Sequence, residues 1–446
     1  MKTLWLTNIM LPAIAKHLNI PHSNREGWLS GLYDQYLKDH KPNTELAICF
    51  PYDDRETLNA IKTKIQTNTP QNYLKFKSDR VTCYSFRENL TTPEKYELEL
   101  EKQLKEILND FQPDIIHIFG SEYPHALAMT NVCKDKQRIL LTIQGLCGKI
   151  AKHYTEGIPA EVVGGETFRD IVKHDSIIQQ QEKFTIRGKH EQLLFTLIKN
   201  VTGRTRFDHE TALELNRNIK YYHLNESMRE SFYTGRWKNS DCERYSIFLS
   251  QGDYPIKGFH YILEALPNLI YKYPETRLYV AGNDIIGDTA GADMMNILKR
   301  KIKISSYGKY LKSLIMSNQL EDKVTMLGSL DELAMKNQFL KSSVFICPSI
   351  IENSPNALCE AMLLGMPVVA AATGGIPSLI DDGKDGLLYE PGNIRDLSAA
   401  IEIAWDLETS EEIAAGAAKR AQKTHNRIIN YMRLWEIYDD IIKQTI

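Results

Sequence analysis

The sequence lacks any run of 18 consecutive apolar residues, which is about the length that a helix needs to cross a membrane. Its first residues, MKTLWLTNIMLPAIAKHL, superficially suggest a secretion signal, but Asn8, Pro12 and Lys16 interrupt the apolar stretch. We therefore predict that residues 4–7 form the first strand of a sheet, and that no segment spans a membrane.

Cysteine is sparse and its spacing is irregular. There are 7 cysteines, an odd number, and no two of them form a C-x-x-C pair. This pattern predicts reduced thiols in a cytoplasmic protein and argues against a disulfide framework or a zinc site. The cysteines are Cys49, Cys83, Cys133, Cys147, Cys242, Cys347 and Cys359.

Two further absences exclude whole function classes. No Gly-x-Gly-x-x-Gly follows any predicted strand, which disfavours a nicotinamide-dependent dehydrogenase. A strong excess of positive charge is also missing, since the net charge is -3, so the protein as a whole is not built to bind nucleic acid. Any basic surface must be local.

The remaining composition is that of an ordinary globular chain, with 43% hydrophobic and 25% charged residues. A length of 446 residues fits two large domains or three smaller ones. Apolar strands alternate with helical stretches in both halves, which predicts two doubly wound parallel sheets with ligands at the carboxyl ends of their strands. A stretch without apolar periodicity, residues 234–243, is the candidate linker. The predicted strands are residues 3–7, 45–50, 81–85, 115–118, 139–143, 246–250, 277–281, 324–327, 344–347 and 368–371.

The most informative stretch is residues 350–377, IIENSPNALCEAMLLGMPVVAAATGGIP. Ser354 is a suitable N-cap and Pro355 suits the first helical position, so we predict a helix from there to about Leu364. Its first amides would have no partner within the helix and could bind a diphosphate. Glu352 lies in the approach loop and Glu360 on the helix, and each carboxylate could accept hydrogen bonds from a pair of sugar hydroxyls.

The run ENSPNALCEAMLLGMPVVAAATGGIPSLIDDGKDGLLYEPGN resembles the E-x7-E segment of the retaining glycosyltransferases of family 4, of the bacterial polysaccharide and cell-envelope type. The resemblance implies a GT-B fold, with two Rossmann-like doubly wound domains facing a central cleft. Residues 1–235 would be the acceptor-side domain and residues 236–426 the nucleotide-sugar domain. Residues 427–446 would form a terminal helix that crosses back to the first domain.

The resemblance also implies roles for residues of the donor site. Glu352 would position the sugar and Glu360 would hold the ribose. The segment that would face the diphosphate comprises Asn353, Ser354, Pro355, Asn356, Ala357 and Leu358. Among them, Pro355 has no N–H to donate.

Lys257 precedes the glycine of SQGDYPIKGFHYILEAL, where the family carries an Arg followed by Lys-Gly. Lys257 matches and would reach the diphosphate, but no Arg is present, and Ser250, Gln251 and Gly252 lie near its place. Gln251 is therefore a further candidate donor residue.

The first half departs from the family pattern. The family's Gly-Gly donor loop is represented only by Gly27, because Glu26 stands at the first position, and a plain turn is an equally good interpretation. Phe119 and Gln144 stand where histidines are expected. Gln144 can hydrogen-bond a sugar but cannot take a proton.

Two further residues of the first half, His117 and Arg204, can each be interpreted as functional or as structural. His117 is predicted to be a buried residue with one hydrogen bond, because strand alternation turns it away from the ligand side. Arg204 is a candidate for the missing cation, and an ion pair with Asp208 or Glu210 is the alternative.

The implied reaction moves a sugar from a nucleoside diphosphate, with UDP favoured, to an acceptor hydroxyl with retention of configuration. No Asp-x-Asp pair occurs, so we predict no metal cofactor and activity in the presence of chelator. The expected setting is a cell-envelope glycan or lipid-linked acceptor at the cytoplasmic side of the membrane. A basic segment from Lys299 to Lys312 could touch acidic lipids, although a solvated helix face explains it equally well.

Three rival functions share the scaffold. A catalytically silent partner that binds sugar nucleotides would explain the missing arginine and histidines. A phosphorylase or a sugar-nucleotide epimerase would use the same fold with different products.

Overall fold

A computed structural model describes residues 1–21, 27–39, 41–64, 72–287 and 304–445. The chain divides into two compact units. Unit 1 comprises Met1–Gly148, Lys183–Met228 and His425–Ile446, and unit 2 comprises Lys149–Glu182 and Arg229–Thr424.

Within the described residues, the sheet of unit 1 has eight strands in the order β3-β4-β2-β1-β5-β6-β7-β8. Only β3 pairs antiparallel with its neighbour, and the other pairings are parallel. The strands are β1 Lys2–Leu6, β2 Glu45–Tyr52, β3 Leu74–Ser78, β4 Val81–Arg87, β5 Ile115–Phe119, β6 Ile139–Thr142, β7 Asn200–Gly203 and β8 Lys220–His223. β5 and β6 are buried along their whole length, as expected for parallel strands covered on both faces.

Two helices, Cys147–His153 and Ile177–Leu197, begin in one unit and end in the other. With these two included, the helices of unit 1 are Pro12–Leu18, Gly27–Lys38, Arg55–Lys62, Leu98–Phe111, Pro124–Val132, Cys147–His153, Ile177–Leu197, Arg206–Leu215 and Arg427–Thr445. The last helix buries Tyr431, Leu434 and Tyr438 against the unit, and the Trp5 indole donates to the Tyr438 hydroxyl over 3.0 Å. The chain terminus is thus part of the core that surrounds β1.

Unit 2 has a six-stranded, wholly parallel sheet within the described ranges, in the order β11-β10-β9-β12-β13-β14. The strands are β9 Glu243–Leu249, β10 Arg277–Ala281, β11 Val324–Gly328, β12 Ser342–Cys347, β13 Val368–Ala371 and β14 Leu387–Tyr389. The helices are Ala160–Val163, Phe168–Lys173, Phe259–Lys272, Ser306–Ser317, Glu332–Lys341, Asn356–Leu364, Ile376–Leu379, Ile394–Ala404 and Leu407–Thr424. Loops at the carboxyl ends of β9 and β12 carry the residues singled out from the sequence.

The partition differs from the predicted one in the placement of Lys149–Glu182. This segment was expected within residues 1–235, but it belongs to unit 2. Asp170, which is fully buried, accepts a 2.8 Å hydrogen bond from the Ser306 amide at the start of a unit 2 helix. The Thr167 hydroxyl donates to the Ile304 carbonyl over 2.8 Å. These polar contacts attach the segment to unit 2.

The boundaries between the units are also shifted. They fall at Met228 and Arg229 and at Thr424 and His425, compared with the predicted positions after residues 235 and 426. In the part of the chain that the structure describes, no helix combines the length and the apolar character that crossing a membrane requires.

Candidate active site

The ammonium of Lys257 and the carboxylate of Glu352 form an ion pair, with Nζ 2.5 Å from Oε1. The Ser349 hydroxyl donates to the same Oε1 over 3.0 Å. Both charged side chains are largely covered, with 23% of Lys257 and 13% of Glu352 exposed. The pair therefore lies in a partly desolvated environment, where electrostatic interactions are stronger than in water.

Close backbone packing between two loops brings this pair together. The loop after β9 contains a 3-10 turn, Pro255–Lys257, and the Ile350 amide donates to the Ile256 carbonyl over 2.8 Å. Gly258 ends the turn with φ +71°, and a side chain there would collide with the Pro348 carbonyl oxygen. Glycine at this position thus permits both the left-handed backbone and the close approach.

Glu352 is held from its other side by the glycine pair after β13. The Gly375 amide donates to the Glu352 carbonyl over 2.9 Å. Gly374 has φ +51°, and a β-carbon on it would collide with the same carbonyl oxygen. The Thr373 hydroxyl adds a 2.7 Å bond to the Ile350 carbonyl. Three segments of unit 2 therefore fix the position of Glu352.

The ion pair controls the protonation of Lys257. Burial would lower the pKa of this ammonium, but the charge of Glu352 and its hydrogen bond outweigh burial and raise the pKa above its usual value. Lys257 is consequently a permanent cation at neutral pH. Asp253, in the same loop, is a further negative neighbour.

The helix after Glu352 begins one residue later than predicted. It runs over Asn356–Leu364 with Pro355, not Ser354, at the N-cap, and Pro355 makes no side-chain capping bond. The amides of Leu358 and Cys359 donate to the Pro355 carbonyl over 3.1 and 3.3 Å. The Leu358 amide is thus already used in the first turn, which makes it a weaker candidate for a diphosphate than predicted. Asn353 is buried, while Ser354, Asn356 and Ala357 are partly exposed.

Glu360, the predicted ribose ligand, forms a bidentate ion pair with Arg229. Arg229 Nε donates to Oε1 over 2.7 Å, and Nη2 donates to Oε2 over 2.6 Å. Burial raises the pKa of Glu360, and the guanidinium acts against this rise. Arg229 could not be singled out from the sequence, because its partner lies 131 positions away.

The place of the missing family arginine is not cationic. The Asn283 side chain donates to Asp253 Oδ2 over 2.8 Å, Gly252 is buried and Gln251 is partly exposed. Ser250, Gln251 and Gly252 are thus uncharged where the resemblance implies a guanidinium, and the residue that follows them, Asp253, is acidic.

The candidates of the first half all lie in unit 1. Gln144 Nε2 donates to Glu226 Oε1 over 2.8 Å, and Arg204 Nη2 lies 3.1 Å from Glu226 Oε2. Arg204 therefore makes an ion pair with Glu226, a partner that the sequence did not predict. Asp208 accepts from the amides of Arg204 and Thr205, and Glu210 pairs with Arg206.

Gly27 and His117 complete the candidates of unit 1. Gly27 is the first residue of the helix Gly27–Lys38, and Glu26 lies outside the described residues. His117 is fully buried, as predicted, but makes two hydrogen bonds instead of one, to Tyr438 at 2.7 Å and Thr142 at 2.6 Å. Burial lowers its pKa well below the usual value, so it stays neutral.

Two further predictions concern metal ligands and the basic segment. In the described ranges, no three His, Cys, Asp or Glu side chains lie close enough together to hold a metal ion. Of the basic segment, Lys299, Arg300, Lys301 and Lys303 lie outside the described residues. Lys309 is exposed on the helix Ser306–Ser317, and Lys312 on the same helix is partly exposed.

Residues 235–424 match the family described as Glycosyl transferases group 1. This segment is therefore similar to the group 1 glycosyl transferases. Lys257, Glu352 and Glu360 all lie within it. WcaL of Escherichia coli strain K12, named as a proposed colanic acid biosynthesis glycosyltransferase, is 34% identical over 130 residues. That alignment covers 28% of this chain and 32% of WcaL, so it spans about a third of the relative's length.

Solved structures extend the similarity from residues 235–424 to the whole fold. Sucrose-phosphate synthase from Thermosynechococcus elongatus matches with a TM-score of 0.68 at 14% identity, covering 100% of both chains. HepE of Anabaena, in complex with UDP-glucose, matches with a TM-score of 0.64 at 14% identity, covering 99% of this chain and 100% of HepE. The predicted GT-B fold is confirmed.

Proposed function

We propose that this chain transfers a sugar from a nucleoside diphosphate donor to an acceptor hydroxyl, with retention of configuration. The observation that carries the proposal is the contact between Lys257 and Glu352, 2.5 Å apart beside the start of the Asn356–Leu364 helix. A cation, a carboxylate and a helix N-terminus are the groups needed to bind a diphosphate and the sugar attached to it. All three lie within residues 235–424.

The chemical barrier lies in separating a negative diphosphate from a sugar that develops oxocarbenium character. In the proposed reaction, the bond from the anomeric carbon to the diphosphate oxygen breaks and a bond to the acceptor oxygen forms. The acceptor proton leaves to the diphosphate. Lys257 and the amides at the start of the Asn356–Leu364 helix stabilise the charge that develops on the leaving group.

The two glutamates have separate roles in the proposal. Glu352 accepts hydrogen bonds from the transferred sugar, while Glu360 holds the ribose of the nucleotide. In the free chain Lys257 is neutralised by Glu352, so an incoming diphosphate has to take over the ammonium. This exchange turns Glu352 from an ion-pair partner into a sugar ligand.

UDP is the proposed carrier, and a cell-envelope glycan or lipid-linked precursor is the proposed acceptor. UDP-glucose in the HepE complex supports the choice of nucleotide. The role of WcaL in colanic acid biosynthesis, as its name states, supports a polysaccharide acceptor. We place the reaction at the cytoplasmic side of the membrane and without a metal. Peripheral contact through Lys299–Lys312 remains part of the proposal.

The test is donor turnover by the purified full chain. We expect it to hydrolyse or transfer the sugar of a UDP-sugar, and Lys257→Ala and Glu352→Ala to lose about 10²-fold or more of the rate. Glu275→Ala, an exposed glutamate of the same unit, is the control and should keep the rate. Binding of UDP without any turnover would favour the inactive partner instead. The similarity to transferases does not favour that alternative.

A further inference from the structure

Arg229 is the residue at which the chain passes from unit 1 into unit 2 after Met228. Its guanidinium donates one hydrogen bond to each carboxylate oxygen of Glu360. We propose that Arg229 is a positioning residue that keeps Glu360 ionised and fixed in one orientation, and thereby makes the site selective for ribonucleotides over 2′-deoxyribonucleotides. The inference rests on the proposed function, in which Glu360 is the ribose ligand.

Each carboxylate oxygen of Glu360 keeps one lone pair for a second partner, which would have to reach a side chain that is 5% exposed. A carboxylate oxygen can accept two hydrogen bonds, and Arg229 occupies one lone pair on each oxygen with bonds of 2.7 and 2.6 Å. The remaining lone pairs then have a fixed direction, because a bidentate guanidinium holds the carboxylate plane. Two vicinal ribose hydroxyls are the donors that such an arrangement fits.

Arg229 is itself firmly held. Its guanidinium carbon lies 4.7 Å from the centroid of the Phe232 ring, and Phe232 is fully buried and contacts Phe339 edge to face. The Phe232 amide donates to the Arg229 carbonyl over 3.2 Å and closes the 3-10 turn Glu230–Tyr233. Only 11% of the Arg229 side chain is exposed. A surface arginine that paired by chance would keep far more freedom.

The charges around Glu360 explain why it needs this cation. Glu332, on the neighbouring helix Glu332–Lys341, is a second carboxylate that disfavours ionisation of Glu360. The Ser231 amide and hydroxyl hold Glu332 in place with bonds of 3.2 and 2.5 Å. Removing Arg229 therefore raises the pKa of Glu360 further and favours the protonated form, which has one acceptor position fewer.

Titration calorimetry of the full chain with UDP and with 2′-deoxy-UDP measures the selectivity. We expect the wild type to prefer UDP about 10-fold, the effect of one hydrogen bond to a charged group. The preference should fall below about 2-fold in Arg229→Gln and in Glu360→Gln at pH 6.5, and the double variant should lose nothing further. Arg395→Gln, which removes an exposed arginine of the same unit, should keep the wild-type preference.

A pH series separates positioning from a general loss of structure. In Arg229→Gln the preference for UDP should increase when the pH is raised from 6.5 to 8.5, because a higher pH favours the ionised form of Glu360, while the wild-type preference stays constant. Should circular dichroism show that Arg229→Gln is unfolded, Arg229→Lys decides. Lysine keeps the positive charge but cannot donate two parallel hydrogen bonds to the carboxylate, so Arg229→Lys should retain a preference for UDP of about 3-fold.

A wild-type preference that persists in Arg229→Gln and Arg229→Lys at every pH overturns the inference and leaves the proposed function intact. A wild type that binds neither nucleotide overturns both. Equal affinity of the wild type for UDP and 2′-deoxy-UDP overturns the assignment of Glu360 to the ribose, and with it the role of Arg229.

Discussion

Lys257 Nζ lies 2.5 Å from Glu352 Oε1, although the two residues are 95 positions apart. In the free chain each charge compensates the other in a site that water reaches only in part. A diphosphate donor must therefore share or displace this contact. Removing the Lys257 ammonium should lower the nucleotide affinity, whereas removing the charge of Glu352 should raise it.

The first prediction concerns Glu352→Gln. Without the carboxylate, the Lys257 ammonium is free to bind a diphosphate, so UDP affinity should rise about 3- to 10-fold, while turnover of a UDP-sugar should fall about 10²-fold. Calorimetry and a coupled rate assay measure the two effects. Glu275→Gln serves as the control, because Glu275 is exposed in the same unit. A large loss of UDP affinity in Glu352→Gln would show that Glu352 contacts the nucleotide and not the sugar.

The second prediction compares two glycines with positive φ. Gly374 has φ +51° and a β-carbon there meets the Glu352 carbonyl, whereas Gly383 has φ +73° and open space around it. Alanine at either position should cost about 1–2 kcal/mol of unfolding free energy through backbone strain. Only Gly374→Ala should also displace Glu352 and lower turnover, which thermal melts and rate measurements can distinguish. Equal losses of turnover in the two variants would remove the link to Glu352.

The third prediction concerns metals. If Lys257 and the helix start hold the diphosphate charge, turnover should persist in excess EDTA at no less than about half its rate. The control is a donor assay on a known metal-dependent transferase in the same buffer. Loss of turnover in EDTA that added Mg²⁺ or Mn²⁺ restores would contradict this.

The fourth prediction concerns Glu191 of unit 1, which accepts bonds from Ser121 and from the amides of Cys147 and Gly148. Burial raises the pKa of Glu191 from 4.5 to about 7. Because the pKa of Glu191 is higher in the folded chain than in the unfolded chain, protonation of Glu191 favours folding. This contribution to stability is fully present below the unfolded-state pKa and is lost as the pH rises through about 7. From pH 5 to pH 8, Glu191→Gln should gain about 2–3 kcal/mol relative to wild type.

Denaturant unfolding of Glu191→Gln at several pH values measures this gain. Glu182→Gln, an exposed change on the same helix, should show no such trend. A constant difference between Glu191→Gln and wild type across the pH range would mean that Glu191 is ionised throughout.

The central strands could be predicted, and so could the loops that carry Lys257 and Glu352, because each lies in a local pattern. The roles of Lys257, Glu352 and Glu360 in donor binding stay predictions. Apolar runs identify buried strands, and the turn before each helix fixes which residues meet at the carboxyl edge of a parallel sheet. β14 Leu387–Tyr389 was missed because three residues are too few for a periodic signal.

Contacts between residues distant in the sequence could not be predicted. Arg229 meets Glu360 across 131 positions, and Ser306 meets Asp170 across 136. Polar pairs of this kind leave no periodicity, so both the partner of Glu360 and the placement of Lys149–Glu182 in unit 2 became evident only in the fold.

The most direct test of the account is calorimetric titration of UDP into the wild type, Lys257→Ala and Lys272→Ala. Lys272 ends the helix that follows Lys257 and pairs with Glu402 at the surface. The account predicts saturable binding by the wild type and by Lys272→Ala, and affinity about 10- to 100-fold weaker in Lys257→Ala. Unchanged UDP affinity in Lys257→Ala would contradict a donor site at Lys257 and Glu352.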